Sequence, residues 1–331
     1  MKVDYHVHLE EGPYSMRWLD RTNKAIEHFE PAPFSKHTVE WLAFSRQRLH
    51  KRLEEGAYSS YWLDFYLLEA LRKGIKEVGI VDHLYRFTET KQYYEKYMHL
   101  GNDQLGTLQK TWLHQVMNQS ISAFTNTIHQ AKERWAEKGV TLRIGIEADY
   151  FESGEEELNN LLSLGKWDYI IGSVHFLDGW GFDNPEAKSL FDERNLEDLY
   201  DRFFKTVEKG IRSNLFHIFA HLDNLKLFNY RPDENLLVPY YHKIARALKE
   251  TSTATEINAG LYYRYPVKEM CPSPLFLQIL AQYEIPMTIS SDSHFPDDLG
   301  NYAEQNSQTL KQHGIKSIAT FNQGMRKLVS I

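Results

Sequence analysis

Seven short β-rich runs recur along the chain, at 2–8, 77–83, 143–150, 168–175, 215–221, 254–259 and 286–292. Most are continuously apolar rather than alternating, the pattern left by strands that helices cover on both faces. Helical stretches lie between them. Ser60–Lys73 has apolar residues at three- and four-residue spacing and Gly74 as a stop, a stretch at 113–138 ends at Gly139, and Leu196–Arg212 and 236–250 follow the same logic. Strands alternating with helices imply a parallel sheet. Seven such units are too many for a small open sheet and nearly enough for a closed barrel. At 331 residues an α/β barrel commonly folds as one domain, so residues 1–331 are read as one. The region 17–56 breaks the alternation. It is rich in charged and aromatic residues (Trp18, Phe29, Phe34, Trp41, Phe44) and reads as an insertion of helices and loops over one end of the barrel. A packing appendage is the expected role, and a lid over a site the alternative.

Each predicted strand runs into polar chemistry at its C-terminal end: Asp4-Tyr5-His6-Val7-His8, Asp82-His83, Glu147 with Asp149, Ser173-Val174-His175, Ala220-His221, Glu256-Ile257-Asn258 and Ser291-Asp292-Ser293-His294. In parallel α/β folds the functional site gathers at that end. His6 and His8 are two apart on a strand, so both rings point to the same side. One histidine at a strand end is usually structural, but six at five strand ends, interleaved with Glu147 and Asp292, call for a common partner. A buried carboxylate without a partner is costly, and a metal ion serves several at once. Imidazole and carboxylate without thiolate suit zinc, manganese or iron. Eight candidate ligands (His6, His8, His83, Glu147, His175, His221, Asp292, His294) exceed the need of one ion, and neighbouring ions suit phosphoester hydrolysis.

Charge and cysteine content narrow the rest. With 38 Lys and Arg against 45 Asp and Glu, the net charge of −7 offers no basic stripe for a polynucleotide. Cys271 is the one cysteine and cannot form an internal disulfide. No signal-peptide core begins the sequence and no apolar run approaches the roughly 20 residues of a membrane span, so a cytoplasmic location is expected.

In order and spacing these motifs resemble the PHP superfamily (polymerase and histidinol phosphatase). Within it the chain is most similar to the histidinol-phosphate phosphatases, through the stretches at 145–150, 172–183, 256–261 and 291–300. The resemblance covers nearly the whole chain except 17–56 and parts of 85–111. It implies a distorted seven-stranded (β/α) barrel with two or three divalent transition-metal ions at the C-terminal ends of the strands. His6, His8, Glu147 and Asp292 would hold one ion. Glu147 would bridge to a second, held by His175 and His221, and His83 and His294 would hold a third. Glu147, Asp292 and His294 are the residues expected to carry catalysis. Those phosphatases have a further histidine shortly after the first strand, where this chain has Tyr14, with Glu10 and Glu11 as acidic neighbours. The implied substrate is a small phosphorylated metabolite, histidinol phosphate first, with inorganic phosphate as a product. A PHP-type nuclease or nucleotide phosphatase, or a metal-containing regulatory module without turnover, are the alternatives. Arg264, whose guanidinium matches phosphate bidentately, is the candidate phosphate contact, and Asp183 the candidate partner for a cationic part of the substrate.

Overall fold

The architecture follows from where the apolar runs are buried. The computed structural model describes all 331 residues. Its strands are β1 (Val3–His8), β2 (Glu77–Val81), β3 (Thr141–Asp149), β4 (Tyr169–Ser173), β5 (Phe176–Leu177), β6 (Trp180–Gly181), β7 (Ile218–Phe219), β8 (Ala254–Asn258), β9 (Met287–Ser290), β10 (Ser317–Asn322) and β11 (Met325–Ser330). Seven of them, in the order β1-β2-β3-β4-β7-β8-β9, form one parallel sheet. The sheet closes where His8 N donates to Ser293 O at 2.8 Å, beside a parallel bridge between Val7 and Ser293. The result is the distorted seven-stranded barrel. β5 and β6 form a small hairpin after β4, and β10 and β11 an antiparallel hairpin at the far end.

The helices are α1 (Met16–Phe29), α2 (Val39–Glu55), α3 (Ser60–Lys73), α4 (Lys91–Tyr97), α5 (Gln104–Val116), α6 (Ile121–Glu137), α7 (Glu155–Leu162), α8 (Leu196–Arg212), α9 (Val238–Thr251), α10 (Gly260–Arg264), α11 (Pro274–Gln282) and α12 (Ala303–Gln312). Local chemistry sets their ends. Ser59 Oγ accepts from Trp62 N to cap α3, and Gly74, at φ +67°, ends it. In α8 Asn195 caps the start, and Leu199, Tyr200, Phe203, Phe204, Val207 and Ile211 form the buried stripe at helical spacing. These faces merge into one core of 83 buried residues.

Three sequence readings change. The helix expected over 113–138 is two, α5 and α6. The chain leaves helix between them because Asn118 and Gln119 donate their backbone N–H groups to Arg86 O, and Ser120 then caps α6. The stretch at 236–250 starts as a 3₁₀ turn (Glu234–Leu237), and the α-helix begins only at Val238, with Pro239 in its first turn. The strands also end earlier than the apolar runs suggest. β2 stops before Asp82, β4 before His175, β7 before His221 and β9 before Asp292. Much of the chemistry therefore sits one to four residues past the ladder, in backbone free of sheet geometry. His221 (φ +26°) and Asp292 (φ +54°) use that freedom to adopt positive φ, a conformation that costs on the order of 1–3 kcal/mol and needs surroundings that enforce it.

The region 17–56 is the helix pair α1 and α2. Arg21 of α1 pairs with Asp297 at 2.8 Å and Asp298 at 2.9 Å in the loop after β9, and stacks on Phe295. Arg52 of α2 reaches Glu10, just after β1, at 2.7 Å. The pair thus braces two loops at the C-terminal ends of the strands.

Opposite that end the barrel is filled. The Tyr169 ring packs 5.0 Å from Tyr5 and 6.0 Å from Phe321, its hydroxyl donates to Tyr5 O at 2.8 Å, and Tyr5 Oη accepts from Phe321 N at 2.8 Å. The ring occupies room that glycine leaves. A methyl at Gly79 would overlap the Tyr169 hydroxyl, and one at Gly145 would come within 2.7 Å of its ring. Gly79→Ala should accordingly lower stability by about 1–3 kcal/mol, the usual range for overpacking a core. Urea unfolding with an unchanged m-value is the check, and a loss under 0.5 kcal/mol would mean that the floor yields easily.

Candidate metal centre

At the open end of the barrel the strands deliver side chains to one point. Glu147, near the end of β3, is 1% exposed. Around its carboxylate stand His6 Nε2 at 3.2 Å, His8 Nε2 at 3.3 Å, His83 Nδ1 at 2.9 Å, His175 Nε2 at 3.5 Å and His221 Nε2 at 3.0 Å. His6 and His8 are presented by β1, where alternation turns both rings inward, 5.0 Å apart. The His8 ring lies near-parallel to His83 at 4.2 Å and to His294 at 4.4 Å, and those two are themselves 5.8 Å apart. Asp292 closes the group from the β9 end, with Oδ1 3.7 Å from His8 Nε2 and 3.2 Å from His294 Nε2. All eight sequence candidates are within this one cluster.

The rings are held from behind. His6 Nδ1 lies 3.1 Å from Glu256 and His175 Nδ1 2.8 Å from Asp149, both in hydrogen-bond reach, while Asp82 stands 3.6 Å from His8 Nδ1 without bonding it. A carboxylate behind one ring nitrogen fixes the tautomer and turns the other nitrogen forward as a donor, the arrangement that orients metal-binding imidazoles. Sequence reasoning did not assign these three carboxylates. Asp149 could have been found, because it is two residues from Glu147 on the same strand and so shares its face. Glu256 and Asp82 carry no such signal, since only the closed sheet brings β8 behind β1.

Charge in this cluster is finely divided. Burial opposes a charge on His6, but Glu256, Glu147 and Asp292 together outweigh it and hold its pKa well above the usual value. Burial pushes His8 well below its usual value, helped by the neighbouring His83 and His294. Burial also works against ionised Glu147, yet His83, His6 and His175 keep its carboxyl well below the ordinary range. Asp82, deep and dry, is pushed up to about 7 by burial, against the pull of Arg86 and a hydrogen bond from Tyr58.

Despite the short distances, few of these atoms are satisfied. Of the five nitrogens around Glu147, only that of His221 makes a hydrogen bond to it. His6 Nε2, both nitrogens of His8, His83 Nδ1, His294 Nδ1 and Glu147 Oε2 are buried without a hydrogen-bond partner. Buried polar atoms are almost always paired, so such a concentration requires an explanation. Three sets have donor atoms within 4.8 Å of one another: His8, His83 and His294; His6, His8 and Asp292; His83, Glu147 and His175. The donor types and the orphaned atoms fit divalent metal. The sets differ from those implied by the resemblance: His83 groups with Glu147 and His175 as well as with His294, and His8 sits between two groups.

The remaining candidates lie at the rim. Arg264, at the end of α10, has Nη2 3.0 Å from Asp292 Oδ2 and Nη1 3.8 Å from Glu11 Oε1. Asp183 is partly exposed beyond β6; burial raises its pKa, while the charges of His175 and His83 lower it. Tyr14 does not enter the cluster. It is 46% exposed, and its hydroxyl accepts from Arg86 Nη2 at 2.9 Å.

The PHP domain family model matches residues 57–260. The chain belongs to the PHP domain family. A protein named "probable histidinol-phosphatase" from Deinococcus radiodurans is 36% identical over 160 residues, covering 48% of this chain and 60% of that protein. The chain thus matches less than two thirds of that relative's length. A Schizosaccharomyces pombe protein of the same name is 22% identical over 267 residues, covering 77% and 82% respectively. Among solved structures, a histidinol phosphate phosphatase from Lactococcus lactis, complexed with zinc, L-histidinol and phosphate, superimposes with a TM-score of 0.65 at 17% identity over 98% of both chains. At that identity the likeness concerns the barrel of this PHP chain. No helix is long and apolar enough to cross a membrane.

Chelator-treated protein supplied with zinc or manganese should bind at least two ions per chain by elemental analysis. It should gain about 2.7 kcal/mol of stability per site at a hundredfold excess over Kd. Glu147→Gln should remove most of that gain in thermal melts. Glu256→Gln, which takes the charge from behind His6, should weaken retention roughly 10–100-fold, and unchanged affinity would show that Glu256 serves only packing.

Proposed function

We propose that the chain is a metal-dependent phosphomonoesterase that hydrolyses histidinol phosphate to histidinol and inorganic phosphate. The observation that carries the reading is the ring of unpaired imidazole nitrogens about Glu147, with Asp292 and Arg264 at its open side. The names of the Deinococcus and Schizosaccharomyces relatives and the ligands in the Lactococcus structure support the choice of substrate.

His6, His8, His83, Glu147, His175, His221, Asp292 and His294 would hold two or three divalent ions, zinc, manganese or iron. Such ions, when bound, supply Lewis-acid charge to phosphoryl oxygens and generate a nucleophile from water at neutral pH. The chain's own groups do the rest. Glu147, Asp292 and His294 are the proposed catalytic residues, as the family resemblance implies, with Asp292 and His294 beside Arg264 at the rim and Glu147 at the centre of the imidazoles. Glu256 and Asp149 keep His6 and His175 aimed at the centre of the cluster. Hydrolysis bonds a water oxygen to phosphorus and breaks the ester P–O bond, and the leaving alkoxide takes a proton from solvent at the mouth. Arg264 faces the same side as Asp292 and would orient the phosphate through its free N–H groups. Asp183, partly exposed and near His175, would accept a hydrogen bond from the substrate's ammonium or imidazole.

Steady-state kinetics on a panel of phosphate esters tests this. Histidinol phosphate should exceed mononucleotides in kcat/KM. Arg264→Ala should weaken inorganic phosphate and substrate together by roughly ten- to a hundredfold, the worth of a charged hydrogen bond of about 1.5–3 kcal/mol. A nucleotide or sugar phosphate turned over ten times more efficiently would end the histidinol phosphate assignment.

A further inference from the structure

The loop after β1 departs from the pattern of the resembling phosphatases, and its contacts show which side chain takes over. Between β1 and the Ser15 cap of α1, the polar side chains are Glu10, Glu11 and Tyr14. Tyr14 is turned outward, edge-on to Trp18 at 5.0 Å. Glu10 is engaged inside the protein: Oε1 accepts from Trp18 Nε1 at 2.7 Å and Oε2 from Arg52 Nη2 at 2.7 Å. Glu11 points the other way. Its Oε2 is 3.7 Å from His294 Nδ1, a buried nitrogen with no hydrogen-bond partner, and its Oε1 is 3.8 Å from Arg264 Nη1. Neither separation is a hydrogen bond. Two donor atoms joined to one ion by bonds of about 2.1 Å stand roughly 3–3.5 Å apart, so carboxylate and imidazole are a few tenths of an ångström from sharing one.

The loop is anchored so that Glu11 faces this way. Arg52 is buried, with its guanidinium 4.4 Å from the Trp62 ring, and it pins Glu10 from α2. Two residues on, Gly12 takes φ +64°, and a side chain there would meet Arg86 Nη1 at 2.9 Å. With its neighbours so placed, Glu11 directs its carboxylate to 3.7 Å from Nδ1 of His294, a member of the set formed by His8, His83 and His294.

We propose that Glu11 is a metal ligand of this chain, completing with His83 and His294 the ion site nearest the mouth, and that Tyr14 takes no part in it. The inference rests on the metal-dependent reading above but not on the identity of the ester.

The test uses the full chain, stripped with chelator and titrated with zinc or manganese. Glu11→Ala should retain one ion fewer than wild type after gel filtration, or bind its weakest ion at least about tenfold less tightly. Tyr14→Phe should match wild type. With cobalt as the probe, the visible spectrum of the last ion to load should change in Glu11→Ala and not in Tyr14→Phe, a change that a purely electrostatic role would not produce. Glu11 is 41% exposed, so the metal-free variant should keep the wild-type melting temperature. Wild-type stoichiometry, affinity and spectrum in Glu11→Ala would overturn the proposal, as would loss of the ion in Tyr14→Phe. A wild-type chain that takes up no ion would sink this and the metal-dependent reading together, whereas preference for another phosphate ester would leave Glu11's role standing.

Discussion

One carboxylate in a dry place organises the open end of the barrel. Removing a charged group from water costs several kcal/mol even after the protein relaxes, and Glu147 meets that cost by drawing five imidazoles to within 3.5 Å. Those rings come from β1 and from the segments following β2, β4 and β7, so their meeting at Glu147 depends on the closure of the sheet. Burial and, after it, the neighbouring His83 and His294 depress the pKa of His8, so the rings need acidic groups at their backs to carry charge. Asp82, Asp149 and Glu256 answer that need from the neighbouring strands. The barrel, the positive-φ turns at His221 and Asp292, and the three supporting carboxylates can all be understood as keeping opposed charges close without water.

Much of this was legible in the sequence because parallel strands buried on both faces leave continuous apolar runs, and because the polar residues that end them are rare inside such runs. His6 and His8 were readable as a pair from strand alternation alone. What could not be read depends on distance across the fold. Glu256 lies 250 residues from His6 and meets it only when the sheet closes. Glu10 and Glu11 are adjacent and chemically identical in sequence, and what separates them is a partner 42 residues away, Arg52, that claims one of them. The division of 113–138 into two helices was hidden for the same reason: nothing local to Asn118 announces that Arg86 O will receive its N–H.

The helix pair at 17–56 can be understood in these terms. Arg21 and Arg52, two of its five arginines, reach the loops that follow the last and first barrel strands, which are also the seam where the sheet closes. That seam is joined by one β-bridge and by Asp4, whose carboxylate accepts from Ser291 N and Gly300 N across it. Arg21 and Arg52 hold its two sides from outside. The pair thus works as a brace across the line of closure.

The tyrosine-filled floor has a further consequence. With Tyr5, Tyr169 and Phe321 packed across the far end, the barrel is plugged there, and the partly exposed neighbours of the cluster, Glu11 and Arg264, lie at the opposite end. Depth then separates two positions within one cluster: a group held against Glu147, which is 1% exposed, sits inward of one held beside Glu11, which is 41% exposed, and the outer position is the one in direct reach of solvent.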